Sequence, residues 1–200
     1  MLARLNEETR VHHADADSDI DRYLFRAHVT VDDYRTYLAR IYGFLVPLEA
    51  SLATSPELDG LLDVRERAKA PLVVHDLMAL GMTLDEVNQL RQCGSVPAFR
   101  GAASALGWMY VIERPLLASA VLRSHLATYL RAEMAYAASY LSCYAGQVGT
   151  KWRELGEAMD RLTATSAEAG VRIVLAAHEA FRALNRYRLH ELVPAIRIAV

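Results

Sequence analysis

Apolar positions recur with helical spacing along nearly the whole chain, and the clearest run is Tyr34, Tyr37, Leu38, Ile41, Leu45, Leu48 and Leu52. Residues three and four apart share one face of an α-helix, so this set makes one buried stripe. Thr30-Val31-Asp32-Asp33 opens it with a Thr cap and acids in the first turn, and Thr54-Ser55-Pro56 ends it. The aromatics of the stripe are read as core, the ordinary use of such side chains. From residue 57 to 80 the pattern shortens and fills with charge, which predicts that Asp63, Arg65, Glu66, Arg67 and Lys69 lie on a solvated face. Pro71 suits the first turn of the next helix. Thr83-Leu84-Asp85-Glu86 reads as the capping box of a short helix, and Cys93-Gly94-Ser95-Val96-Pro97 as a loop.

Beyond Pro97 a long apolar segment runs through Trp108 to about Leu130, and Pro115 must kink or break it because it removes a helical hydrogen bond. Two more helices are expected over 131–145 and 151–162, on either side of Gly146-Gln147-Val148-Gly149. A last long one is expected from 166 to about His190, burying Val171, Val174, Leu175, His178, Phe181 and Leu184 or their neighbours. No alternating strand pattern, internal repeat or low-complexity tail interrupts this. The expectation is an all-α fold, a single domain over residues 1–200, with about seven or eight helices packed ridge into groove.

Composition narrows the function. With 200 residues, 53% of them hydrophobic, one proper core can be buried but not two comfortable ones. A net charge of −2 with interleaved signs leaves no basic stripe, so nucleic acid is not expected as a partner. Cys93 and Cys143 are far apart and show no CxxC spacing, which fits reduced thiols better than a disulfide framework or a zinc site. No greasy run follows a basic cap near Met1, and the uncharged stretch 134–150 carries Ser, Gly, Gln and Tyr, as buried core helices do. A soluble cytoplasmic protein with no membrane partner is expected.

Candidate chemistry concentrates at the start, in Leu5-Asn6-Glu7-Glu8-Thr9-Arg10-Val11-His12-His13-Ala14-Asp15-Ala16-Asp17. Leu2, Leu5, Thr9 and Ala16 mark one helical face, with His12 and His13 on its opposite shoulders, and periodicity does not choose between them. Thr9, His13, Ala16 and Asp17 resemble, in register, the proximal-helix motif of the haem oxygenase family. There a Thr stands four residues before the iron-ligating His, and an Ala and an acid follow at three and four. The resemblance therefore selects His13 as metal ligand and catalytic residue; a neutral imidazole is a preferred nitrogen ligand of haem iron.

Ala105-Leu106-Gly107-Trp108-Met109-Tyr110-Val111-Ile112-Glu113 is similar to the distal-helix entry of the bacterial haem oxygenases that accompany bacteriophytochromes. Those sequences continue Gly-Ser-x-Leu-Gly-Gly; this one continues Arg114-Pro115-Leu116-Leu117-Ala118-Ser119. Distal glycines let a backbone approach and bend over a porphyrin. Here Pro115 would supply the bend, and Ala118 and Ser119 the close approach. Arg114 would face solvent, pair with Glu113 or reach a propionate, while Glu113, after five uncharged residues, is expected as a buried carboxylate with a structural partner.

Two C-terminal segments, Thr150-Lys151-Trp152-Arg153-Glu154-Leu155 and Ala177-His178-Glu179-Ala180-Phe181, also resemble the family. By that resemblance Arg153, with Lys151 and Arg10 as further candidates, would meet propionates, and Phe181 would form an aromatic wall. The position one turn beyond Arg153, often basic in the family, is Glu157. The resemblance implies a haem oxygenase with a kinked distal helix, haem as substrate and cofactor, and a ferredoxin or reductase as electron donor. A bacteriophytochrome is the implied consumer of the biliverdin. The alternatives are a non-catalytic haem or tetrapyrrole binder of the same fold, a thiaminase-like hydrolase using Cys143 as nucleophile, and a structural or partner-binding helical domain without a pocket.

Overall fold

The computed structural model describes residues 1–189 and, within them, every side chain but that of Asp19. Helix α1 (Leu2–Glu8) stops at Thr9, which is fully buried and whose Oγ1 donates to Leu5 O at 2.7 Å. A 3-10 turn, Arg10–His12, follows, then α2 (His13–Asp19) and a π-turn, Ile20–Leu24. The opening segment is thus several short pieces, each re-aimed relative to the last.

Helix α3 (Val31–Ala53) starts with a full capping box between Thr30 and Asp33 and buries Tyr34, Tyr37, Leu38, Leu45, Leu48 and Leu52. Pro71 lies in the first turn of α4 (Ala70–Ala79), and Thr83 and Glu86 cap α5 (Leu84–Asn88) reciprocally. Helix α6 (Ala102–Glu113) is buried without a break from Ala105 to Glu113, the signature of a helix packed on all sides. At Pro115 it passes into a 3-10 turn, Arg114–Ala118, and then into α7 (Ser119–Tyr129). Among the described residues this is the run long and apolar enough to cross a membrane, and 67% of its most apolar window is buried inside the fold.

The chain closes with α8 (Glu133–Tyr136), α9 (Val148–Thr165) and α10 (Ala167–Leu189). The end expected at His190 lies outside the described residues. Small residues bring α10 against α6. A Cβ on Gly107 would stand 2.4 Å from Ile173 O and 2.7 Å from Ala176 Cβ, so only glycine permits this approach. Val171 and Leu175, expected in the core, are exposed, while Ala176, Ala177 and Ala180 are buried in their place. Close backbone packing has selected the alanine face of α10 over its larger aliphatics.

Two expectations are corrected. Residues 131–145 are not one helix: α8 ends at Tyr136 and turns follow. The fully buried Asp76 carboxylate accepts from the backbone N–H of Ser139 (2.9 Å) and Tyr140 (2.8 Å), and Tyr34 Oη donates to Ala137 O at 2.9 Å. These tertiary bonds satisfy groups that a helical ladder would otherwise use.

Arg67 and Lys69 are not on a solvated face either. Lys69 Nζ donates to Glu113 Oε1 at 2.9 Å and to Arg67 O at 2.7 Å, while Tyr144 Oη donates to the same Glu113 oxygen at 3.1 Å. Arg67 Nη1 lies 3.5 Å from that oxygen, and its Nη2 reaches Glu154 at 3.1 Å. Glu113 therefore has the structural partners expected for it, supplied by residues that a charge count assigns to the surface.

Candidate active site

A cleft of about 440 Å³ opens between the N-terminal segment and the bend after α6. Ile20 and Phe25 form one apolar wall, Tyr110, Pro115 and Leu117 the other, and Trp152 of α9 closes an end; Asn6, Asp17, Asp21 and Arg114 are its polar members. Neither His12 nor His13 is among its lining residues; the 3-10 turn after α1 gives the two histidines different partners. His12 turns to α10, where its Nε2 lies 2.9 Å from His178 Nδ1. His13 turns the other way, and its Nε2 lies 3.2 Å from Thr9 Oγ1. Thr9 has spent its single proton on Leu5 O, so in this contact the His13 N–H donates and Nδ1 keeps the open lone pair.

Burial first, and then the Arg114 guanidinium, hold the His13 pKa below its ordinary 6.5, with Asp17 acting the other way. The ring is therefore neutral at pH 7, the form that binds a metal. Phe181, buried, backs it with ring centroids 5.8 Å apart.

Arg114 makes a bidentate pair with Asp17, at 2.9 and 3.0 Å, joining the distal bend to α2 along the cleft. Of the outcomes open for Arg114 from the sequence, none included this partner. Ala118 lines the cleft, and Ser119 is buried at the start of α7. Arg10 and Arg153 are not brought in: both are largely exposed, beside Glu7 at 3.9 Å and Glu157 at 3.8 Å. Lys151 is held by Glu66 and Glu154. Tyr110 and Trp152, absent from the sequence-based candidates, stand in the cleft with ring centroids 5.5 Å apart; apolar periodicity hides them because it marks them only as core.

Among the described residues no three His, Cys, Asp or Glu side chains form a cage for a metal ion. A metal at His13 would take its other ligands from a bound group. Cys143 is buried, and burial pushes its thiol up to about 12, so it stays protonated at neutral pH. The hydrolase alternative thereby loses its thiolate.

The family model described as Heme oxygenase matches residues 1–190. The chain belongs to the haem oxygenase family. No curated protein and no solved structure matches it. Members of this family are oxidoreductases that bind and degrade haem, and the all-α fold with its bent α6–α7 run is the family's fold. The chemistry of this region suits a haem: apolar cleft walls, one guanidinium able to meet a carboxylate, and a neutral imidazole at His13 outside the cleft lining, next to Thr9. The glycines of the distal bend have no counterpart.

Proposed function

We propose that this protein is a haem oxygenase that cleaves haem to biliverdin, carbon monoxide and ferrous iron, using oxygen and an external reductant. The family match over residues 1–190, with a neutral His13 at the proximal position beside an apolar cleft, carries this reading. When bound, haem supplies the oxygen chemistry, and the protein binds, orients and excludes water. In this account His13 holds the iron, and Phe181 supports its ring from behind. Arg114 exchanges Asp17 for a haem carboxylate, an equivalent charge-assisted fork. Tyr110, Trp152 and Phe25 keep the slot dry, and the small side chain of Ala118 allows approach at the bend, whereas Ser119 is buried behind it. Arg10 and Arg153 would have to swing in from their surface pairs with Glu7 and Glu157 to meet a propionate. A ferredoxin or a reductase is the proposed electron donor, and a bacteriophytochrome the proposed user of the product.

His13→Ala tests the site. The ferric complex of the unaltered protein should show a Soret band and an axial-imidazole signature, and the variant should lose that signature; identical spectra would remove His13 from the account. The distal departure favours a second reading, a stable haem or tetrapyrrole binder without turnover, because Arg114 is bulky where the family has glycine and is tied to Asp17. That protein would form the complex and keep it when reduced.

A further inference from the structure

Two adjacent histidines of the same chemistry face different ways, and something must choose between them. His12 closes the 3-10 turn, and its ring meets His178 edge-on at 5.0 Å and 73° while lying nearly parallel to Phe181 at 5.4 Å and 20°. Of the bonded nitrogens, His12 Nε2 and His178 Nδ1 at 2.9 Å, one donates and the other accepts, which two neutral imidazoles satisfy. Phe181 also touches His13 and Tyr110, so one buried phenyl ring abuts both histidines and the cleft wall.

Successive residues point about 120° apart in a 3-10 turn and about 100° apart in an α-helix. Holding His12 against His178 therefore sends His13 toward Thr9 and Arg114. No side chain caps the turn, which lies between two short helices and is held by its own backbone hydrogen bonds, such as His12 N–H to Thr9 O at 2.9 Å.

We propose that His178 is a positioning residue: its hydrogen bond to His12 leaves His13, and not His12, as the imidazole turned toward Thr9 and Arg114. This rests on the reading of His13 as the iron ligand. Metal-binding imidazoles are commonly oriented by groups that hold the ligand's other nitrogen. Here the orienting bond falls on the neighbouring residue and acts through the backbone.

The test compares the unaltered protein with His178→Leu, His178→Asn and the double variant His12→Leu/His178→Leu, each checked for native helicity. Asparagine keeps a hydrogen-bonding group near the place of the imidazole Nδ1; leucine keeps only bulk. Electron paramagnetic resonance of the ferric hemin complex should show one axial-imidazole species in the unaltered and Asn proteins. His178→Leu should show two, with hemin affinity down about tenfold, and the double variant should return to one. In the ligand-free proteins, the nuclear Overhauser contact between the His13 ring and Thr9 should weaken in His178→Leu alone. A single species with unchanged affinity and contact in His178→Leu would overturn the proposal, as would Asn behaving like Leu. An unchanged spectrum in His13→Ala would instead overturn the ligand assignment, leaving the ligand-free contact as the measure of whether His178 aims His13.

Discussion

At the residue scale, the two histidines tie the site to pH. His12 and His13 are both held below 6.5, each chiefly by burial, with His178 and Arg182 adding to the effect at His12 and Arg114 at His13. A base whose folded pKa lies below its unfolded one binds fewer protons when folded, so acid favours the unfolded chain. Stability is fully present above 6.5 and is lost as pH falls below that value toward the folded pKa. The urea midpoint should therefore be lower at about pH 5.5 than at about pH 7.5, and His12→Gln/His13→Gln should shrink the difference. An equal drop in both proteins would show that these rings do not contribute. Arg114→Gly should open the cleft: the bridge to Asp17 is partly exposed and worth about 1 kcal/mol, so hemin association should quicken by about fivefold in stopped flow. Thr9, His13 and Asp17 stand out in the sequence because their spacing resembles a motif. The partners His178 and Asp17 of His12 and Arg114 were not legible there, since each pair joins residues distant in sequence.

At the scale of elements, caps and stripes written in local sequence appeared as expected: the boxes at Thr30 and Thr83, the face of α3 and the break at Pro115. The failures share a cause. Residues 131–145 look helical by composition, but Asp76 and Tyr34 reach them from elsewhere and take their backbone groups. Arg67 and Lys69 look solvated until α6 supplies Glu113. Glu113→Leu leaves both cations buried without their shared carboxylate and should cost about 3–5 kcal/mol in chemical denaturation. A loss near zero would mean that water or Glu49 takes over the pairing.

At the scale of the molecule, α6 seated against α10 places the cleft. Helix α6 packs on α10 at Gly107, while Tyr110 and the bend that follows the helix, with Arg114, Pro115, Leu117 and Ala118, line the cleft opposite the N-terminal segment. Gly107→Val would push Cβ into Ile173 O and Ala176, costing about 1–3 kcal/mol and lowering the thermal midpoint. A neutral substitution there would contradict the close approach of the two helices. The fold was readable in the sequence because patterning, caps and a family motif agree. The state of the distal bend was not, because Arg114 finds its partner only when the bend after α6 meets α2.

The most direct measurement is a hemin titration of the purified protein followed by addition of a ferredoxin reductant in air. A one-to-one Soret complex that converts to the absorption of biliverdin, with release of carbon monoxide, is the predicted result. A complex that persists unchanged under reductant, or no complex at all, would contradict it.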